Sequence, residues 1–307
     1  MTKWLKLIKI NHWVKNLFIF APLIFSINLF VQEQVIKTII CFISFSFITV
    51  FVYILNDIKD RDTDRNNYEK CIRPLASGAV SIKTALIIGT VFFTCGLGLS
   101  VIFLKVSVSS IMLLYTAINI LYTYRLKNIP ILDVFIIAIG FCLRVLMGAI
   151  AIGVSLSHWM LITTFTLSLI LGFGKRRYEL TSVIDKNREF KHTLSLYTKE
   201  FLDILIGISV GLTAMSYALY TMDQATIHKT GSDKLIYTSV FVIYGLYRYI
   251  LIIYLEKKGG NPEEIFIKDP AIVTTILLWG GSIITLIYFK WLLGLINLDF
   301  SLFTFLN

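Results

Sequence analysis

Apolar runs of about 17 to 22 residues recur along the whole chain, separated by polar breaks. That is the length needed to cross the hydrocarbon core of a bilayer as a helix. The pattern predicts nine helices, over 17–31, 35–55, 83–104, 108–124, 131–153, 157–173, 201–221, 235–255 and 271–290. Long connections, over 56–82, 174–200 and 256–270, alternate with short ones. Pro130, Pro262 and Pro270 fall near predicted helix starts, where a missing N–H costs little. No polar stretch of domain size interrupts the series. The expectation is therefore an all-α integral membrane protein with a single domain over 1–307: an interfacial helix over 1–16, a nine-helix bundle over 17–292 and a tail over 293–307. The opening segment scatters Lys3, Lys6, Lys9 and Lys15 among apolar residues, with Trp4, Leu5, Ile8 and Trp13 near one helical face. That composition suits a helix lying in the interface better than a cleavable signal.

Composition agrees with the pattern. Hydrophobic residues make up 56% of the 307, more than a soluble domain of this size carries. The formal charge of +10 would suggest nucleic acid in a soluble protein. Here topology and anionic ligands account for it, and no nucleic-acid partner is expected. With the N-terminus in the cytoplasm, 22 of the 29 Lys and Arg fall on the inner side, five on the outer side and two, Arg144 and Arg248, within spans. Basic loops resist translocation, so this bias supports a multi-pass protein of the inner (plasma) membrane with a cytoplasmic N-terminus. The four cysteines lack metal-ligand spacing and are read as reduced thiols.

Candidate chemistry begins where the second predicted span ends, at Tyr53-Ile-Leu-Asn-Asp-Ile-Lys-Asp-Arg-Asp-Thr-Asp64. On a continuing helix Asp57, Asp60 and Asp64 share one face, while Asp62 points about 140° away from Asp57. Carboxylates so placed repel one another and need a counter-charge. Mg2+ takes one or two carboxylates and leaves its other positions to water and substrate phosphates. Asn56 would add a neutral oxygen. Lys70 and Arg73 follow, and Arg presents a fork suited to phosphate oxygens. Carboxylates for a metal with cations nearby form a diphosphate clamp facing the cytoplasm. A solvated acidic helix end paired with Arg61 and Arg65 is the plainer alternative, but Asn56 and Asp57 directly follow an apolar span, where an unpartnered carboxylate is costly.

Asn56-Asp57-x-x-Asp60-x-x-x-Asp64, followed by Arg73-Pro74 and Gly78, resembles the first signature of the UbiA-type membrane prenyltransferase superfamily. The resemblance implies a nine-helix bundle whose central cavity opens to the cytoplasm, with Asn56, Asp57, Asp60 and Asp64 holding Mg2+. Most of that superfamily carries a second Asp-rich motif after the sixth helix. This chain instead has Gly172-Phe-Gly-Lys-Arg-Arg-Tyr-Glu179 there, and Asp185 and Glu189 do not restore the motif. In this departure it is similar to the decaprenyl-phosphate phosphoribosyltransferase branch. The similarity rests on Trp13-Val-Lys-Asn16 (with Lys9-Ile10 where the branch has Arg-Pro), on Tyr124 to Gly153, on Gly174-Lys175-Arg176 with Glu179, and on His192, Tyr197 and Phe201. Arg248-Tyr249, Gly260-Asn-Pro-Glu-Glu264, Asp269 and Trp279 extend it through the final third.

That branch implies transfer of 5-phosphoribose from phosphoribosyl pyrophosphate to a polyprenyl phosphate, with release of pyrophosphate, for a cell-envelope polysaccharide precursor. Asp57, Asp60 and Asp64 are then the catalytic residues. Lys15, Asn56, Lys70, Arg73, Lys127, Arg144, Lys175, Arg176 and Tyr197 are the candidate substrate-binding residues. Asp133 is read either as the partner of Arg144 or as a site residue, and Arg248 as paired with a buried acid or touching substrate. The apolar surface is compatible with a homo-oligomer. Two rival functions follow from the same residues. One is prenyl transfer from a polyprenyl diphosphate to an aromatic acceptor, which the first motif permits and the basic stretch Lys175 to Arg177 opposes. The other is a transporter or lipid-binding protein without catalysis, suggested by intramembrane Arg144 and Arg248 but lacking a repeat between halves or a pair of broken spans.

Overall fold

The computed structural model describes residues 3–66, 70–185, 193–256 and 262–295, which are mostly helical, with turns between the helices and no strand among them. In chain order the helices are α1 (Lys3–Leu7), a 3-10 helix (Ile10–Phe20), α2 (Ala21–Phe25), α3 (Gln32–Lys59), α4 (Arg61–Arg65), α5 (Ile82–Phe103), α6 (Val106–Tyr124), α7 (Leu132–Ile152), α8 (His158–Asp185), α9 (Lys199–Met222), α10 (Gln224–Thr230), α11 (Ser239–Tyr254), α12 (Pro262–Lys268) and α13 (Pro270–Leu295). Seven stretches are long and apolar enough to cross a membrane: α3, α5, α6, α7, α9, Lys234–Tyr254 and Pro270–Tyr288. The protein is a multi-pass membrane protein. His192, Gly260, Asn261 and most of the tail over 293–307 lie outside the described residues.

Helix ends follow local chemistry. Ser81 caps α5 by accepting the Thr84 N–H at 3.1 Å, Thr198 caps α9 through Phe201, and Asp223 caps α10 through Thr226. Gly153 closes α7 in the left-handed conformation that glycine adopts without penalty. Pro262 and Pro270 begin α12 and α13, as their positions predict.

Two predicted elements differ. The first span, expected over 17–31, is the 3-10 helix running into α2, and it stops at Phe25. Ile27 turns the chain at φ 62°, and Asn28 Nδ2 donates to the Ser26 carbonyl at 3.1 Å. Tyr288 of α13 pins this turn, donating to the Ile24 carbonyl at 2.8 Å and accepting the Leu29 N–H at 3.2 Å. The interfacial helix expected over 1–16 is shorter too, because α1 ends at Leu7 and Lys9 sits at φ 49°. Asn16, placed at the interface by sequence, is buried in the bundle, where Ser46 and Arg144 bind it. The predicted sixth span lies within α8, which runs on to Asp185 and so carries the basic stretch on a helix.

The spine of the bundle is α7. Its first half, through Val134 and Ala138, joins a core with α8, α9 and α11 that includes Ile170, Phe173, Leu202 and Ile252. Its second half, through Leu143, Met147 and Ala151, joins another core with Ile19, Phe45 and Ile48 of the 3-10 helix and α3, and Met112 of α6. Close approach requires small residues here. A Cβ added at Gly148 would lie 2.1 Å from the Ile19 carbonyl oxygen, and one at Gly96 of α5 would lie 2.6 Å from that of Ser44 in α3. These contacts seat the 3-10 helix on α7 and α5 on α3, and α6 packs against both α3 and α7, so that the end of α3, the α6–α7 connection and the basic end of α8 meet at one end of the bundle.

Candidate functional site

Burial makes the acidic end of α3 distinctive. Helix α3 ends at Lys59, Asp60 is the break at φ −91°, and α4 resumes at Arg61. The Asp64 N–H still donates to the Asp60 carbonyl at 2.8 Å, so the acidic face continues past the break. Asp57 and Asp64 are 3% and 2% exposed, while Asp62 points outward as its position predicts. Buried carboxylates need partners, and these come from elsewhere in the chain. Arg73 Nη1 donates to Asp57 Oδ1 at 3.1 Å and to Asp64 Oδ2 at 2.7 Å. Lys9 Nζ reaches the same Asp57 oxygen at 2.7 Å. Lys127 Nζ holds Asp60 Oδ1. Asn56 turns toward α6, where Thr123 Oγ1 donates to its Oδ1 at 3.5 Å. Burial pushes the Lys9 ammonium below its usual pKa, and Asp57 opposes that shift.

The turn that brings Arg73 here is built by the residues after it. Ser77 N–H donates to the Arg73 carbonyl, Gly78 takes φ 76°, and Leu75, Ala76 and Val80 bury against α3 and α5. Arg65 Nε donates to the Ala76 carbonyl at 3.0 Å, fastening the turn to α4. Arg73-Pro-Leu-Ala-Ser-Gly78 is thus a fold-back that presents its guanidinium to two carboxylates.

A second polar cluster lies at the basic end of α8. Asp133, fully buried on α7, accepts from Arg176 Nε at 2.7 Å and from the Tyr197 hydroxyl at 2.8 Å. Arg176 also holds Glu179 at 2.6 Å, and Tyr122 faces the same group. The Tyr197 hydroxyl accepts the Ile131 N–H, which closes the turn into α7. Burial and the neighbouring Asp133 carboxylate raise the Tyr197 pKa. Arg177 is held apart from this cluster by Asp203 of α9 at 2.5 Å and by the Tyr254 ring at 3.9 Å. Lys127 joins the two clusters: its ammonium is on Asp60, and its carbonyl accepts from Thr193 Oγ1 just before α9.

The model of the UbiA prenyltransferase family matches residues 18–267, most of the chain. The chain belongs to the UbiA prenyltransferase family. It is 28% identical over 289 residues to a decaprenyl-phosphate phosphoribosyltransferase of Corynebacterium glutamicum, covering 92% of this chain and 86% of that one. To the enzyme of that name from Mycolicibacterium smegmatis it is 26% identical, covering 93% and 92%. Its fold is similar to that of a UbiA homolog from Archaeoglobus fulgidus bound to GPP and Mg2+, with a TM-score of 0.67, 19% identity, and coverage of 92% of this chain and all of that one. It is an enzyme of this family.

Within this UbiA fold, the partners of Arg144, Tyr197 and Arg248 are defined. Arg144 is not paired with Asp133, which Arg176 and Tyr197 occupy. Arg144 is 3% exposed, and it donates to Asn16 Oδ1 at 2.9 Å, the Gly140 carbonyl at 2.7 Å and the Tyr115 hydroxyl at 3.3 Å. The rings of Phe45, Tyr115 and Phe141 surround it at 5.1–5.2 Å. It lies eleven residues along α7 from Asp133, about 16 Å by helical rise, so it braces the bundle rather than meeting the acidic end. Tyr197 is buried, and its hydroxyl donates to Asp133. Arg248 forms a fork with Asp269 at 2.6 and 3.2 Å and also holds Glu256, which decides for an acid partner. Lys15, on the 3-10 helix, and Lys175, on α8, are both half-buried, and Lys70 opens the fold-back turn.

Lys9 was not selected from sequence as a site residue. Its signals were a lysine between Ile8 and Ile10 and its place where the resembled branch has the Arg of Arg-Pro, and its left-handed backbone is not legible in composition. Among the described residues no three acidic, His or Cys side chains converge as a metal cage. Asp57 Oδ1 and Asp64 Oδ2 nevertheless share one cationic nitrogen, Arg73 Nη1. Two hard oxygens about a single positive centre fit a Mg2+ whose other positions go to water and substrate phosphates. Cavities of about 520 and 260 Å3 open at the other end of the bundle, lined by residues such as Phe241 and Leu278, or Phe25 and Trp159, and neither touches this site.

Proposed function

We propose that this enzyme transfers 5-phosphoribose from phosphoribosyl pyrophosphate to a polyprenyl phosphate. The observation that carries the reading is the opposite character of two facing helix ends. The end of α3 and the α4 turn that continues it supply three carboxylates, held by Lys9, Arg73 and Lys127 from other elements. The end of α8 supplies cations, two of them held by Asp133 of α7 and Asp203 of α9. One acidic end suits one metal–diphosphate. The basic end suits the phosphates of two anionic substrates, which repel each other unless cations gather them. The names of the Corynebacterium and Mycolicibacterium relatives, similar along nearly all of this chain, support the same assignment.

In this reaction the bond from ribose C1 to the pyrophosphate oxygen breaks and a bond from C1 to an oxygen of the lipid phosphate forms. The nucleophile is an anion at neutral pH, so no strong general base is required. Asp57 and Asp64, with Asp60 and Asn56 beside them, would hold Mg2+, which when bound neutralises charge on the departing pyrophosphate. Arg73 and Lys70 bind the diphosphate oxygens. Lys127, Lys175, Arg176 and Lys15 receive the ribose 5-phosphate and the lipid phosphate, and Tyr197 fixes Asp133 and with it the orientation of Arg176. The polyprenyl tail lies between apolar helices. The domain is one nine-helix bundle over 17–292 in the plasma membrane, N-terminus and active site facing the cytoplasm.

Purified protein, Mg2+, ribose-labelled phosphoribosyl pyrophosphate and a polyprenyl phosphate should give a labelled lipid. Turnover of a prenyl diphosphate with 4-hydroxybenzoate, and no labelled lipid, would replace this reading with prenyl transfer.

A further inference from the structure

Asp57 Oδ1 carries two cationic partners, Lys9 Nζ and Arg73 Nη1, and Asp64 Oδ2 shares Arg73 Nη1 with it. Arg73 comes from the turn beside the site. Lys9 comes from 48 residues upstream, at the break between α1 and the 3-10 helix. Its placement is built rather than incidental. The Lys9 backbone is left-handed, at φ 49° and ψ 48°, a conformation that costs a lysine about 1 kcal/mol or more. The ammonium stands 5.3 Å from the centre of the Tyr53 ring, and the His12 ring packs against the same tyrosine at 5.5 Å between centroids. Leu7 anchors α1 in a core with Ile54, Leu75 and Val80, the residues that also shape the Arg73 turn. The side chain is only 12% exposed.

A divalent ion on Asp57 Oδ1 would bring a third cationic group, doubly charged, to an oxygen that Lys9 and Arg73 already share, and that crowding of positive charge repels strongly in a partly buried site. A displaced Lys9 is still tethered within reach, and an ammonium with three donors suits a phosphate oxygen.

We propose that Lys9 is an exchangeable counter-cation of the diphosphate site: it holds Asp57, yields that oxygen to the divalent ion, and passes to the diphosphate that the ion brings. The inference rests on the reading of Asp57 and Asp64 as a metal–diphosphate site. It makes metal and diphosphate binding mutually reinforcing. The ion alone must displace an ammonium without compensation, while ion and diphosphate together give that ammonium a new anionic partner.

The test is Mn2+ binding to the full chain in detergent, read by the electron paramagnetic resonance of free Mn2+, with and without inorganic pyrophosphate. Wild type should bind Mn2+ weakly alone and more tightly with pyrophosphate. Lys9→Met should bind Mn2+ alone about tenfold more tightly than wild type, since a charge-assisted contact no longer competes. It should also lose most of the pyrophosphate enhancement, and Lys9→Arg should retain it. A second readout needs no variant: acetylation of Lys9 in wild type, followed by mass spectrometry, should rise with Mn2+ and fall again when pyrophosphate is added. Equal Mn2+ affinity of Lys9→Met and wild type, or Lys9 reactivity indifferent to Mn2+, overturns the exchange while leaving the metal site standing. Absence of Mn2+ binding in every form, with pyrophosphate present, overturns the metal site and the exchange together.

Discussion

Each carboxylate at the end of α3 is defined by its counter-charge. Asp57 and Asp64 are buried around one guanidinium nitrogen, and Asp60 is drawn aside to Lys127. Asp57→Asn is expected to reduce turnover by more than about a hundredfold, as loss of a group stabilising a charged leaving group does, with insertion into membranes unchanged. Wild-type rates would mean the acidic face is structural. Arg144 predicts the opposite pattern. Lysine cannot reproduce its three donor contacts, so Arg144→Lys should lower stability by about 1–3 kcal/mol. Thermal unfolding in detergent would show this, and Mn2+ affinity should not change. The acidic motif was legible because its spacing survives the break at Asp60. The partners were less so. Arg73 lies nearby in sequence, but Lys9 and the Asp133–Arg176 pair come together only through packing of distant helices.

At the scale of elements, α7 is the piece on which the rest is assembled. Its length and composition announced a span, but not that both cores would share it. Gly148 marks the closest approach, with the Ile19 carbonyl where a Cβ would stand. Gly148→Ala should therefore cost about 1–3 kcal/mol, as overpacking does. Gly207→Ala and Gly211→Ala on α9 have no atom within 4 Å of the new Cβ. Those two should be neutral or slightly stabilising, since alanine is the better helix former. Equal losses at all three positions, by thermal unfolding, would remove the special role of the α7 contact. The first span shows where periodicity misleads. Apolar composition over 17–31 predicts one helix, but Pro22, the Ile27 turn and the Tyr288 hydroxyl divide it.

For the whole molecule, the bundle separates its ends by chemistry. The end of α3, the α6–α7 connection and the end of α8 bring the Asp cluster and the basic stretch together, while the connections over 153–157 and 223–238 at the other end carry few charges, Asp223, Lys229, Asp233 and Lys234. In the proposed topology, which rests on the positive-inside bias, the first end faces the cytoplasm. A single cysteine introduced at Ser232 should therefore be labelled by an impermeant reagent from outside, and one introduced at Asn128 should not. The reverse pattern would invert the assigned topology. The central claim is the identity of the diphosphate. Incubation of the purified protein with Mg2+ and phosphoribosyl pyrophosphate labelled at its β-phosphate tests it most directly. The account predicts labelled free pyrophosphate only when a polyprenyl phosphate is present, in equal amount to the phosphoribosylated lipid formed, and none from Asp57→Asn. Lipid-independent release, or no release while a prenyl diphosphate is consumed, would contradict it.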